Sequence, residues 1–570
     1  MYVATSPDLW VYEDKDGDLK ADGPPTKLLT GFGGYNHDHG AHSLVLGPDH
    51  RWWMSHGDGG FDLKGTDGSH AVSKWGAILR GELDGSKLET PAVNFRNPYE
   101  VCVSSFGEPF CSDNDNDGLQ STRICWIMEG GNYGWYGAPP ERAVSGTPYG
   151  EMWHFRGHIA GNVPGTLLTG FGAPCGICFY EGDAFGPAYK NMPLHTDAGP
   201  AEVRAYPHHL QGAGMGASKE ILLTAGDRYF RPDDICAAPD GSLFVSDWYD
   251  GSVGGHAYNN PDQGRIFLLR PKGKPLVRHE KPGPYNNKED ALEGLKSPNL
   301  ATQYLARERL LAEGEKSIPY LTRLLADGEP NFAARALWVL DRIGGSGRQL
   351  VVDQLGHSDS ARRALGVRIL RRQGADYAAE ILQLANDPSL EVAREVLLAI
   401  RNISGEQADQ ALAAIARRYD GSDRYLLEAI NIAAIDRHAN LYEKLAANGG
   451  FKPQQIGLLQ LLNPAIAGQQ LRDQLDLEPI EPEAVRQLLL WAGTASSPVI
   501  GKTLLTFLQK NSTPPSQRQL ALEEVAANLK GNWRSLLQDK QLTETLKQLL
   551  DDQALQPAVL RLIGAQQLKQ

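Results

Sequence analysis

The chain changes character near residue 285, and no single fold type accommodates both sides of the break. Of its 62 Gly, 43 lie before that point, as do 13 of its 15 His. The first part strings short apolar runs between turns rich in Gly, Asp and Asn, which reads as all-β. The second part is rich in Leu, Ala, Gln, Arg and Glu at helical spacing. A chain of 570 residues is too long for one core. The expectation is a multidomain protein, all-β then all-α. The Pro/Gly/Lys-rich stretch 271–288 reads as a linker. It separates an expected β domain, 1–270, from an expected helical domain, 289–570.

Both parts repeat. Leu46 to Asp58, Ser104 to Asp115 and Ala237 to Asp250 share one form: a small-residue turn, an apolar strand, then Ser or His before an acid. Asn191 to Tyr206 is a degenerate copy, and the first residues look like the tail of another. Regular copies of short strands suggest propeller blades. In the helical part, units begin near Ser297, Gly328, Ser358, Pro388 and Gly421. Val392, Val396, Ile400 and Ile403 form one apolar stripe, and Ala333, Leu337, Leu340 and Ile343 form another. Asp387-Pro388 has the form of a cap followed by a first-turn Pro. Paired helices at this period stack into an α-solenoid of HEAT-like type.

Composition excludes several functions. A net charge of −13 argues against non-specific nucleic-acid binding. No apolar run reaches the ~20 residues that span a bilayer. All six Cys precede residue 240, and Cys175-Gly-Ile-Cys178 is followed by Phe179, so the chain has no CxxCH and no haem c site. The cysteines read as strand residues or one disulfide.

The stretch Arg96 to Trp135 carries a resemblance. Arg96-Asn97-Pro98 leads into a strand, then an acidic knot of Asp113, Asp115 and Asp117, a second strand, and Gly130-Gly131-Asn132-Tyr133-Gly134-Trp135. This order resembles the soluble quinoprotein sugar dehydrogenases of the glucose and sorbosone type. It resembles more closely the planctomycete-type membrane-bound dehydrogenase family, in which such a propeller precedes HEAT-like repeats. The resemblance implies a six-bladed propeller. The chain holds about four and a half blade copies, so an N-terminally truncated propeller is expected, as is a periplasmic location.

The same resemblance assigns residues. His39, seven residues before Leu46-Gly-Pro-Asp49 and followed by Gly57-Asp58, falls where the family has the general base that takes a sugar hydroxyl proton as hydride passes to pyrroloquinoline quinone (PQQ). Arg96 and Asn97 fall on the pair over the quinone, and Arg231 on one of two arginines that grip its carboxylates. The second arginine falls on Asp233, and the family's cofactor Lys falls near Ala198-Gly199. Imidazole chemistry suits a base near neutrality. A structural alternative is a set of rim histidines, His37, His39 and His42, bonded to loops.

Alternate aspartates suit calcium, which prefers hard oxygen ligands on a sharply turning backbone. One such set is Asp113, Asp115 and Asp117. The other is Asp14, Asp16 and Asp18, with Asp22 at the ninth position. The leading expectation is therefore a sugar or alcohol dehydrogenase with PQQ and Ca2+. Its rival is a non-catalytic, calcium-stabilised propeller that binds glycan or protein, with the solenoid as docking surface.

Overall fold

The protein was studied as a computed structural model that describes residues 1–570 except 19, 35–38, 115–121, 136–159, 254–260, 274–282, 327, 448, 477–484, 486–487, 490, 493–497, 530–532 and 567–570. It divides into two compact units. The first is Met1–Gly157 with Val163–Ile403, and the second is His158–Asn162 with Ser404–Gln570.

Five sheets make the propeller of the first unit. Blade 1 is β1 (Tyr2–Thr5), β2 (Asp8–Val11) and β3 (Thr26–Thr30). Blade 2 is β4 (Ala41–Leu46), β5 (Trp52–His56), β8 (Gly76–Gly81) and β9 (Glu89–Phe95), with the hairpin β6 (Phe61–Lys64) and β7 (His70–Ser73) inserted. Blade 3 is β10 (Val101–Val103), β11 (Pro109–Asp113), β12 (Thr122–Trp126) and β14 (Leu167–Gly170). The short β13 (Gly131–Asn132) pairs in parallel with β9. Blade 4 is β15 (Pro174–Tyr180), β16 (Met192–Asp197), β17 (Glu202–Ala205) and β20 (Glu220–Thr224), with the hairpin β18 (His208–Gln211) and β19 (Gly214–Ala217). Blade 5 is β21 (Pro232–Ala237), β22 (Leu243–Asp247) and β23 (Arg265–Leu269). The inner strands β4, β10, β15 and β21 pack side by side in that order, and β1 packs on β4.

Strand alternation fixes two faces. The starts of β4, β10, β15 and β21 lie on one face, together with the ends of the second strands. The turns after the inner strands lie on the other. Blade 1 runs in the opposite sense. Its β1–β2 turn is on the first face, where Ser6 Oγ donates to Gly33 O at 2.8 Å and accepts from Ala41 N at 3.3 Å. The start of β1 is on the second face, where Tyr2 Oη donates to Leu83 O.

The expected repeat starts hold: helices begin at Leu300, Pro330, Ser360, Leu390 and Arg424, two or three residues after the anticipated positions. They are α2 (Leu300–Glu313), α4 (Pro330–Ile343), α6 (Ser360–Leu370), α8 (Leu390–Ile400) and α10 (Arg424–Ala433). A partner precedes each of them: α1 (Lys288–Leu295), α3 (Ile318–Ala326), α5 (Gly345–Asp353), α7 (Ala378–Leu382) and α9 (Glu406–Ala416). Val392, Val396, Ile400 and Ile403 are buried as the stripe requires. Asp387, however, does not cap α8. Its carboxylate accepts from Ser389 N and pairs with Arg363, and Ser389 holds the N-cap position.

The helices up to α8 close the second face and belong to the same compact unit as the propeller, so the units part after Ile403 rather than at 271–288. The cause is a row of arginines that apolar periodicity does not reveal. Arg335 on α4 donates to Ser105 Oγ at 2.7 Å and to Glu181 Oε2 at 2.6 Å. Arg368 on α6 donates to Glu108 Oε1 at 2.5 Å and Glu395 Oε1 at 2.7 Å. Arg394 on α8 donates to the same Glu108 oxygen at 3.0 Å and to Ala213 O at 2.9 Å. Ser105, Glu108, Glu181 and Ala213 all sit in second-face turns. Gly107, with φ +74°, brings its turn against the Trp338 ring, where a Cβ would lie 2.6 Å from Cζ2.

The second unit is helical, with a core that includes Leu471, Leu504, Leu508, Val525 and Trp533. Among the described residues no helix is long and apolar enough to cross a membrane. No cysteine is in a disulfide, although Cys111 and Cys125 face each other across β11 and β12.

Candidate functional site

The acid that ends the second strand of a blade has one job in three blades. In blade 3, Asp113 Oδ1 accepts from Asn97 N at 2.9 Å, and Oδ2 accepts from Arg123 Nη2 at 2.8 Å. In blade 4, Asp197 accepts from Ala173 N at 2.7 Å and pairs with Arg204. In blade 5, Asp247 accepts from Arg231 N at 2.8 Å and pairs with Arg265 at 2.6 Å. Each carboxylate thus ties the start of the inner strand to an arginine on the third strand. Burial pushes the Asp113 and Asp197 carboxyls up, Asp197 to about 6, against the pull of their arginines.

Blade 2 departs from this pattern. Its second strand ends His56-Gly57-Asp58, and its third strand opens Gly76-Ala77-Ile78, where the other blades supply arginine. Asp58 takes a side chain instead: its Oδ1 lies 2.5 Å from His39 Nδ1. His39 has φ 56°, in the left-handed region that costs a non-Gly residue energy. A Cβ on Gly57 would lie 2.4 Å from His39 Cα and 2.5 Å from Asn97 Oδ1, so only Gly permits this approach. Asn97 Oδ1 also receives His42 Nε2 at 2.7 Å, and His42 stacks on Tyr99 with ring centroids 4.8 Å apart. Arg96 is buried within electrostatic reach of Asp113.

The fold therefore brings His39, Arg96 and Asn97 together at the first face. The His39 side chain is 31% exposed and that of Asp58 21%. Donation of Nδ1–H to Asp58 fixes the tautomer that leaves Nε2 as an acceptor, and no described residue engages Nε2. Arg231 lies at the start of β21 on the same face, but its Nη1 donates to the neighbouring Phe230 O at 2.8 Å. His37 lies outside the described residues.

The surroundings of Tyr99 are acidic. Tyr99 lies within electrostatic reach of Cys175, Asp233, Glu100 and Asp234. Burial, and then Asp234, push the Glu100 carboxyl well above the usual carboxylate range, and its Oε2 accepts from Ile177 N at 2.7 Å. Asp233 is likewise raised by burial and accepts from Ser246 Oγ at 2.8 Å. Glu100, Asp233 and Asp234 offer carboxyl groups and no cation, so these residues do not fit PQQ held by its carboxylates.

The metal expectations divide. Asp113 is fully buried, with Oδ1 on Asn97 N and Oδ2 on the Arg123 guanidinium. Asp115 and Asp117 lie outside the described residues. Asp14, Asp16 and Asp18 are exposed and can bring three carboxylate oxygens within 4.8 Å of one another. Asp14 Oδ1 accepts from Gly17 N at 2.8 Å, and Asp18 Oδ1 from Lys20 N at 2.8 Å. This loop joins β2 to β3 on the second face, the face away from His39.

Asp58 is legible in the Gly57-Asp58 spacing once His39 is chosen. Tyr99 and Glu100 are not, because only blade packing brings them beside Asp233 and Asp234.

Residues 1–270 match the family model described as a domain of unknown function (DUF7133). No curated protein matches the chain in sequence. Among solved structures, the PQQ-bound aldose sugar dehydrogenase of Streptomyces coelicolor is 20% identical, covering 47% of this chain and 74% of that one, with a TM-score of 0.33. A Thermus thermophilus protein assigned as an oxidoreductase (glucose dehydrogenase) is 15% identical, covering 47% of this chain and 92% of that one, with a TM-score of 0.29.

Proposed function

We propose that the first face of the propeller carries a general-base site for a hydroxylated small molecule of the carbohydrate type, as in a sugar dehydrogenase-like protein, with His39 as the base and Asp58 as its orienting partner. The carrying observation is the break in the blade pattern: three blades use the acid to clamp backbone to arginine, and blade 2 commits it to a partly exposed imidazole. A carboxylate on Nδ1 leaves Nε2 to accept a hydroxyl proton. Arg96 and Asn97 line the same spot and suit hydrogen bonding to an oxygen that gains charge. The acids around Tyr99 disfavour a tricarboxylate quinone, so this reading assigns no hydride acceptor. The same acids favour, as a second reading, a propeller that binds glycan without turning it over. The resemblance to exported propellers supports a periplasmic location, and the HEAT-like helices are the surface we assign to a protein partner.

Calorimetric titration of the full chain with a panel of monosaccharides, with and without PQQ and Ca2+, tests this. Saturable sugar binding that His39→Ala weakens, with no absorbance change on PQQ addition, is the expected outcome. A stoichiometric quinone spectrum would overturn the reading of the acids around Tyr99. Sugar binding unaffected by His39→Ala and Asp58→Asn would remove the base.

A further inference from the structure

On the second face, away from His39, the β4–β5 and β8–β9 turns and the helices line an open cavity of about 210 Å3. Its wall holds five cations: Arg51, Lys87, Arg342, Arg348 and Arg372. Three carboxylates, Asp49, Glu82 and Asp341, face them. Each carboxylate is already taken. Arg372 Nη1 donates to Asp49 Oδ2 at 2.6 Å, Arg348 Nε to Asp341 Oδ1 at 2.8 Å, and Arg342 Nη2 to Glu82 Oε2 at 2.6 Å. Glu82 also serves Arg51 at 3.0 Å and, at 3.8 Å, Lys87. Donors are left over. Among the described residues, the buried Arg372 Nε and Arg51 Nη1 have no hydrogen-bond acceptor. Glu89 Oε1 lies 3.1 Å from Arg51 Nη1, an ionic contact without hydrogen-bond geometry.

The next layer adds to the excess. Arg307 on α2 is 1% exposed, and none of its three guanidinium nitrogens has a partner among the described residues. Unlike Arg335, Arg368 and Arg394 on later helices, it makes no hydrogen bond to a carboxylate among the described residues. It lies within electrostatic reach of Asp49, in the cavity wall. Burial, and then the neighbouring Arg80, hold the Arg372 guanidinium down to about 10, against the pull of Asp49 and of Glu129 at 3.4 Å. A buried charge without a partner is costly, and an anion is what removes that cost.

We propose that this cavity is a binding site for a compact oxyanion, phosphate or sulfate, free or as the monoester of a small sugar. Guanidinium groups present paired N–H donors that match tetrahedral oxyanions. The volume is below the ~300–1,000 Å3 of sites for drug-sized ligands, which limits the ligand to a small one. Because the wall is part propeller and part helix, a bound anion would tie the two together.

The test uses the full chain at constant ionic strength, with thermal melting and calorimetry against inorganic phosphate, inorganic sulfate and glucose 6-phosphate, and with chloride as the compensating salt. The expected result is a saturable rise in the first unit's melting temperature, with phosphate or sulfate effective and chloride not. Tighter binding of the sugar ester than of free phosphate would identify a phosphorylated ligand, and equal binding a free oxyanion. Lys87→Ala with Arg348→Gln should weaken binding at least tenfold. Should that pair fail to fold, Lys87→Ala alone, a change at an exposed side chain with one long contact, should weaken it severalfold. Absence of a saturable shift at 10 mM phosphate and at 10 mM sulfate, or equal affinity in the variants, would overturn the proposal.

Discussion

Replacing Glu108 by Ala tests how firmly the first helices belong to the propeller. Glu108 is 7% exposed. Its Oε1 accepts from Arg368 at 2.5 Å and Arg394 at 3.0 Å, and its Oε2 accepts from Trp126 Nε1 at 2.5 Å. Removal leaves Arg368 and Arg394 to share Glu395, which Arg371 also engages. Breaking a buried pair by deleting one partner costs about 3–5 kcal/mol. One kcal/mol moves the melting temperature by ~2–4 °C in a domain of 150–250 residues, and by less in a larger unit. At ~2.1 cal/mol/K per residue the larger first unit shifts by only about 1.2 °C per kcal/mol, so its transition should fall by about 4–6 °C in scanning calorimetry of the full chain, while the second-unit transition stays in place. Glu108→Ala combined with Arg394→Ala should recover part of the loss, since the double change removes one stranded charge. A fall of less than about 2 °C for Glu108→Ala would refute the buried-network account and restore the picture of helices merely tethered by a linker.

Burial raises the Glu428 carboxyl in the second unit to about 7, against the pull of Arg424. Its folded value lies above its unfolded one, so the second unit should gain up to about 3 kcal/mol as pH falls from 8 through 7 towards 4.5; Glu428→Gln should flatten that rise in a melting series. Glu395 behaves oppositely. Burial alone would raise it, but Arg368, Arg371 and Arg394 hold it down to about 2, so its contribution is present above pH 4.5 and is lost as pH falls towards 2. If Asp14, Asp16 and Asp18 bind Ca2+, calcium at a hundred times its Kd should stabilise the first unit by about 2.7 kcal/mol, and Asp16→Asn should abolish the effect. Native maleimide labelling should mark the exposed Cys236 well before Cys102 and Cys111, whose thiols burial pushes far up.

The sequence by itself determined which elements form and at what period. Gly- and Asp-punctuated short strands had to become blades, because half-buried strands need sheet neighbours on both sides. A 30-residue apolar rhythm had to become packed helices, and the helix starts at Leu300, Pro330, Ser360 and Leu390 follow it closely. The His39 and Gly57-Asp58 spacing was likewise readable, since both residues flank strands of one blade. What only the tertiary structure decided is which charges meet. Asp113 looked like a metal ligand in the acidic knot, yet the strand register aims it at Arg123 and at the backbone of Asn97. Glu100, Asp233 and Asp234 lie more than 130 residues apart in two groups, and only the packing of blades brings them together. The arginines of α4, α6 and α8 stand outside the apolar stripes that the sequence displays. They are buried because the propeller turns present carboxylates to them, and local periodicity carries no information about a partner more than 100 residues away.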